Sequence, residues 1–270
     1  MVTISAIVVC YNEGHLLEKC LSSISFCDDI LVADLGSTDN SVEVASKFTK
    51  NIIFRNRKDV PSCEMVQSEI VSTLKNDWII FIDPDEVLDP LLSEELLGLF
   101  DKIKMDENIG AVTVPWQFYF RQKRLKGTVW GGINKKFFLV NRNRFSFEPI
   151  IHYGRKLILP FLNFEIEGHS ESAVLHHYWM NSYEVFFRKH FRYLKNEGND
   201  QYDLGRRVGI KELILKPYTE FKYCYITKAG YKDSLTGLFL SMFWAYYCTV
   251  IAYDIYRIHK RQKRLYNDPT

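Results

Sequence analysis

Two carboxylates one residue apart, Asp83 and Asp85, close an apolar run in Trp78-Ile-Ile-Phe-Ile-Asp-Pro-Asp-Glu86. Aspartates held this close repel one another unless a cation neutralises them. A hard divalent ion with oxygen ligands, itself holding a diphosphate, meets that need. The run before them is short, uncharged and rich in Ile and Phe, which suits a buried strand better than a helix. Side chains that follow such a strand project into the crevice where open α/β sheets bind ligands. The same residues would also serve as a solvated acidic turn capping the next helix, so the rest of the chain has to decide.

The elements that must position these acids alternate along the first ninety residues. Residues 3–10 read as a buried strand ending at Tyr11-Asn12-Glu13-Gly14, and Leu16, Leu17, Leu21 and Ile24 then fall at helical spacing. A second strand, 29–33, runs into Asp34-Leu-Gly-Ser-Thr-Asp39, followed by a helix over 40–50, a strand over 52–54 and a helix over 64–75. The connections are too long for hairpins, so the pattern predicts an α/β fold with a mostly parallel central sheet, helices on both sides and right-handed crossovers. For Asp39 the spacing favours a helix cap over a ligand contact.

From Gly110 the pattern changes. Strands are expected over 111–120 and 136–140, separated by a basic loop (Arg121, Lys123, Arg124, Lys126) and Trp130-Gly-Gly132. An amphipathic helix is expected over 182–196, where Arg188 and Arg192 stand one turn apart; they suit a phosphate or simply a solvated basic face. No linker marks a boundary, and the shifts in pattern divide the chain into 1–110, 111–180 and a helical, aromatic-rich extension over 181–270. Residues 234–253 carry no charge, and Arg257, Lys260, Arg261, Lys263 and Arg264 follow. The Tyr, Trp and hydroxyl content favours a helix lying on an anionic membrane surface; a buried core helix and a bilayer span are the alternatives.

Of the 270 residues, 47% are hydrophobic and 25% charged, which is globular composition. A net charge of only +2 and the lack of a recognised nucleic-acid motif argue against nucleic acid as a partner. The six cysteines form no CxxC pair and no metal-ligand spacing with histidine, so they read as reduced thiols of a cytosolic protein. The apolar first ten residues lack a basic flank and meet Glu13 at once, which predicts no signal peptide.

Tyr-Asn-Glu after the first strand, Asp-x-Gly-Ser-Thr-Asp after the second and Asp-Pro-Asp-Glu after the fourth together resemble the family-2 glycosyltransferases of the GT-A fold. The likeness is most specific over residues 3–90 and continues more loosely to about residue 240. It implies a metal-dependent, inverting hexosyltransferase using a nucleotide sugar such as UDP-glucose. Tyr11, Asn12, Glu13, Asp34, Gln67 and Asp83 would bind the donor. Asp85, with Asp83 and His177, would hold Mn²⁺ or Mg²⁺, although a lone histidine beside Tyr178 and Trp179 also suits a packed core. Arg144-Phe-Ser146, Ile151-His152 and Leu175-His-His177 are similar to the branch that includes lipopolysaccharide inner-core glucosyltransferases. That implies a lipid-linked or lipopolysaccharide-type glycan acceptor, met on the inner face of a membrane. The branch carries His-Glu where this chain has His152-Tyr153, so the acceptor's base falls to Glu148, with His152 as runner-up. Acidic, basic and Asn positions of relatives are replaced by Leu35, Gln67 and Ser68. Transfer to a polyprenyl phosphate, which needs no base, or loss of activity with retained binding are the alternatives.

Overall fold

The computed structural model describes residues 3–60, 63–148, 155–168 and 172–267, and the chain divides into two compact units. One comprises residues 1–117 and 133–179, the other 118–132 and 180–270.

The first unit is built on a mixed sheet. Strand β1 (Ile4–Cys10) is buried along its whole length, as a β-branched run between two layers requires. Helix α1 (Gly14–Ser23) returns the chain to β2 (Asp29–Asp34), burying Leu17, Cys20 and Leu21 at i, i+3, i+4. Then follow α2 (Ser41–Ser46), β3 (Ile52–Phe54), α3 (Cys63–Ile70), a 3₁₀ turn over Val71–Thr73 and β4 (Trp78–Phe81). Helix α2 is shorter than its sequence pattern suggests. The Thr49 hydroxyl donates to the Ile30 carbonyl at 2.7 Å and accepts from the Asn51 amide, which draws the chain out of the helix and onto the sheet.

Beyond β4 come β5 (Glu86–Leu88), α4 (Pro90–Met105), β6 (Ile109–Phe120), β7 (Lys123–Arg124), β8 (Ile133–Asn141), β9 (Phe145–Phe147), β10 (Arg155–Leu157), β11 (Leu162–Glu165) and β12 (Leu175–Met180). The main sheet runs β3-β2-β1-β4-β8-β6-β12-β5, while β9 and β10 pair separately. Strands β3, β2, β1 and β4 are parallel, and β8 joins β4 antiparallel. Apolar side chains of α1, α2 and α4 cover one face, and those of α3 the other. Strand order reverses between β1 and β4, so their carboxyl ends open the crevice in which open α/β sheets place ligands.

The second unit is helical: α5 (Tyr183–Leu194), α6 (Glu197–Asp203), α7 (Ile210–Lys222) and α8 (Ser234–Asn267). Its core is aromatic, with Phe186 ringed by Phe120, Phe239 and Phe243 at centroid distances of 4.4–5.8 Å. The uncharged run 234–253 lies within α8. Leu240, Phe243, Tyr247, Ile251 and Ile255 bury one side of this helix, while Leu235, Met242, Tyr246 and Tyr253 stay exposed on others. On that buried side α8 packs as a core helix does, while its other faces stay exposed. Arg188 and Arg192 are exposed; Arg188 lies 3.8 Å from Glu184 and Arg192 over the ring of Tyr193, as on a solvated face.

Candidate active site

The β1 end is stapled to the β2 end. Asn12 adopts φ +56°, a conformation asparagine tolerates. Its Oδ1 accepts from the Thr38 amide at 2.7 Å, and its own amide donates to Ser37 Oγ at 2.9 Å. The Glu13 amide donates to Ser41 Oγ, while its carboxylate accepts from the Tyr11 amide at 3.3 Å. Asp39 accepts from the Gly14 amide and from the Ser41 amide and hydroxyl, tying the starts of α1 and α2 together. Gly14 is required there, because a Cβ would sit 2.2 Å from Asn40 Oδ1 and 2.9 Å from the Ser41 nitrogen. Tyr11 remains exposed at the rim, a free ring face beside the crevice.

Asp34 is buried, and its Oδ1 accepts from the Gly36 and Ser37 amides at 3.0 Å. Its other oxygen meets the Cys10 thiol at 3.7 Å, and burial together with the Asp34 charge pushes that thiol's pKa up. The geometry makes Asp34 the former of the turn that Gly36 completes at φ +83°. Leu35 packs into the apolar cluster with Val60 and Val66.

The acidic turn after β4 is wound tightly. The Glu86 amide donates to the Asp83 carbonyl, and the Asp83 amide donates back to Glu86 Oε2 at 2.9 Å. Glu86 is wholly buried, and burial raises its pKa although the Lys136 ammonium, in direct contact with Oε2, opposes the shift. Lys136 also stands 3.9 Å from Asp83 Oδ2 and 5.2 Å from the Trp116 ring centre. His177 stacks on Trp116 at 5.0 Å and places Nε2 3.3 Å from Asp85 Oδ2. The Asp85 carbonyl accepts from the Tyr178 amide at 2.7 Å. Asp83 and Asp85 are thereby held by Lys136 on one side and His177 on the other, with Trp116 touching both.

Sequence reasoning missed Lys136 and Trp116. A signal existed in Lys135-Lys136: adjacent residues of a strand point to opposite faces, so one of the pair had to turn onto the sheet. Lys135 reaches Glu165 at the surface and Lys136 turns inward. Gln67 is buried, and its Oε1 accepts from the Arg155 guanidinium, which lies over the Phe81 ring at 5.1 Å. A basic group thus reaches Gln67 from a strand nearly ninety residues on. Glu148 is exposed just after β9; His152 and Tyr153 lie outside the described residues.

Among the described residues no three His, Cys, Asp or Glu side chains converge as a metal cage. The donor set nevertheless fits Mg²⁺ or Mn²⁺, since such ions are commonly held by one or two carboxylates and completed by substrate phosphates and water.

A family model described as Glycosyl transferase family 2 matches residues 5–162, more than half of the chain. The lipopolysaccharide core biosynthesis glycosyltransferase LpsC of Rhizobium meliloti is 24% identical over 97% of this chain and 94% of its own length. An uncharacterized glycosyltransferase of Rickettsia prowazekii, RP128, is 24% identical over 84% of this chain and 76% of its own. Among solved structures, glucosyl-3-phosphoglycerate synthase from Mycobacterium tuberculosis, crystallised with Mg²⁺ and UDP, is 25% identical over 44% of each chain at a TM-score of 0.33. The chain spans under half the length of that synthase, and no residue-level correspondence follows from it. The chain is a glycosyltransferase and belongs to glycosyl transferase family 2.

Proposed function

We propose that this enzyme transfers a hexose from a nucleotide sugar, UDP-glucose or a close relative, to a hydroxyl of a lipid-linked or lipopolysaccharide-type glycan, with inversion. The observation that carries the reading is the pair Asp83 and Asp85 at the crevice between β1 and β4, clamped by Lys136 and His177. Near-full-length similarity to a protein named for lipopolysaccharide core biosynthesis supports the acceptor class.

In this reading residues 1–110 bind the donor, 111–180 the acceptor, and 181–270 face the membrane from the cytosolic side. Tyr11 offers its exposed ring to the base, and the loop ordered by Asn12, Glu13 and Asp34 receives the ribose. Gln67 and Arg155 give the diphosphate a donor pair. Asp85, with Asp83, would hold Mn²⁺ or Mg²⁺, which supplies positive charge to the departing diphosphate. His177 keeps Asp85 in one orientation through the 3.3 Å contact, and Lys136 does the same for Asp83 through the turn that Glu86 anchors. Glu148 accepts the proton of the attacking hydroxyl.

The test is nucleoside diphosphate release from a panel of nucleotide sugars with a glycolipid acceptor. Asp85→Asn is expected to lower kcat by roughly 100-fold while leaving the melting temperature nearly unchanged. Equal turnover by wild type and variant would defeat the assignment.

A further inference from the structure

The second unit carries a surface made of none of the residues assigned to the transfer above. Between α7 and α8 runs an open groove of about 680 Å³, lined among others by Leu213, Pro217, Phe221, Met242, Tyr246 and Tyr253. Helix α7 buries none of its residues fully, although it carries Ile210, Ile214 and Tyr218 at successive i+4 positions, with Ile214 70% and Tyr218 66% exposed. A contiguous apolar row of this kind marks an interaction site, unlike scattered single residues.

The polar groups of α7 are arranged to suit the same purpose. Its acids, Glu212 and Glu220, are drawn to Lys216 at 3.8 and 3.0 Å, and Glu220 also accepts from the Trp244 indole at 2.9 Å. Arg206 approaches Glu212 at 3.7 Å. The carboxylates of this helix are thus compensated and present little negative field to a partner.

Along α8 the groove-lining positions Met242, Tyr246, Thr249 and Tyr253 keep one helical face. The same spacing continues into Arg257, Lys260 and Arg261, all exposed. Asp254 offsets Arg257 at 3.2 Å, while Lys260, over the Tyr256 ring at 5.9 Å, and Arg261 extend the basic end of this stripe. An apolar trough that passes into a basic stripe on one helix face matches an amphiphile with an apolar chain and an anionic head. A second copy of the chain would satisfy only the apolar half.

We propose that the α7–α8 face docks on a bilayer containing anionic phospholipid, with α7 among the acyl chains, one chain in the groove and lipid phosphates on Lys260 and Arg261. The inference rests, for its use to the enzyme, on the membrane-borne acceptor proposed above.

The experiment is flotation of the full chain with phosphatidylcholine vesicles with and without phosphatidylglycerol, at low and high salt. Wild type is expected to float with the anionic vesicles, less so at high salt. Ile214→Glu/Tyr218→Glu and Lys260→Glu/Arg261→Glu should each lower the bound fraction about tenfold or more. Both double variants should keep the wild-type melting temperature and the wild-type rate of nucleoside diphosphate release in solution. Folded wild type that stays off anionic vesicles, or double variants that float like wild type, would overturn the proposal. So would a dimer in light scattering that Ile214→Glu/Tyr218→Glu dissolves without change in flotation. Flotation as expected, with no transfer to any lipid-linked acceptor, would uphold the docking surface and sink the acceptor reading alone.

Discussion

Glu86 has no accessible surface, and its charge is supportable only because Lys136 touches it and the Asp83 amide donates to it. Removing one partner of such a pair leaves the other buried and uncompensated, at a cost of about 3–5 kcal/mol. Lys136→Met should therefore lower the unfolding free energy by about that amount in urea titrations. Adding Glu86→Gln should restore most of it, because the amide can still accept from the Asp83 nitrogen without needing a cation. A double variant as unstable as the single one would show that Lys136 acts otherwise. Asp83 and Asp85 were legible in the sequence because their strand and turn are local. Lys136 was not, since fifty residues separate it from Glu86 and only the antiparallel insertion of β8 beside β4 brings it near. Arg155 escaped for the same reason, reaching Gln67 across eighty-eight residues.

At the scale of elements, the parallel block is tied at its amino edge as firmly as at its mouth. Asp28 accepts from the Ile4 amide at 3.1 Å, from Asn76 at 2.7 Å and from Lys75 at 2.7 Å, joining the starts of β1 and β4. Partial burial pushes its pKa up, but the hydrogen bonds from Lys75 and Asn76, the Lys75 charge and the Ile4 amide outweigh this and hold it below the usual carboxylate range. A depressed carboxylate stabilises the fold above its unfolded pKa of about 3.9 and loses that contribution as pH falls through the folded value. Asp28→Asn should thus destabilise by about 1–2 kcal/mol at neutral pH, and the gap should close as pH drops below about 4. Thermal melts across that range check it; a gap independent of pH would contradict the ionic role. The strands and helices of this block followed from their own periodicity. Strand β5 did not, because three residues after a turn carry no pattern; its pairing with β12, through Val87↔His176 and Glu86↔His177, is what makes it a strand.

For the whole molecule, the uncharged run of residues 234–253 was readable as a helix, yet which of its faces would be buried was not. That depends on Phe120, Phe186 and α6, all distant in sequence from α8. Tyr247 donates to the buried Glu197, which also accepts from Gln201 at 3.0 Å, so α8 is bound into its unit by polar as well as apolar contacts. Deleting residues 234–270 would dismantle that unit, so surface substitutions on α7 and α8 are the fair probe of membrane contact. The reaction itself stands or falls at the other unit's crevice. Crystals grown with Mn²⁺ and UDP, measured at a wavelength where manganese scatters anomalously, give the direct reading. The expected result is an anomalous peak within bonding distance of the Asp85 carboxylate and of a diphosphate oxygen, with the uracil beside Tyr11. A nucleotide seated away from the β1 and β4 ends, or bound there with no peak near Asp85, would contradict it.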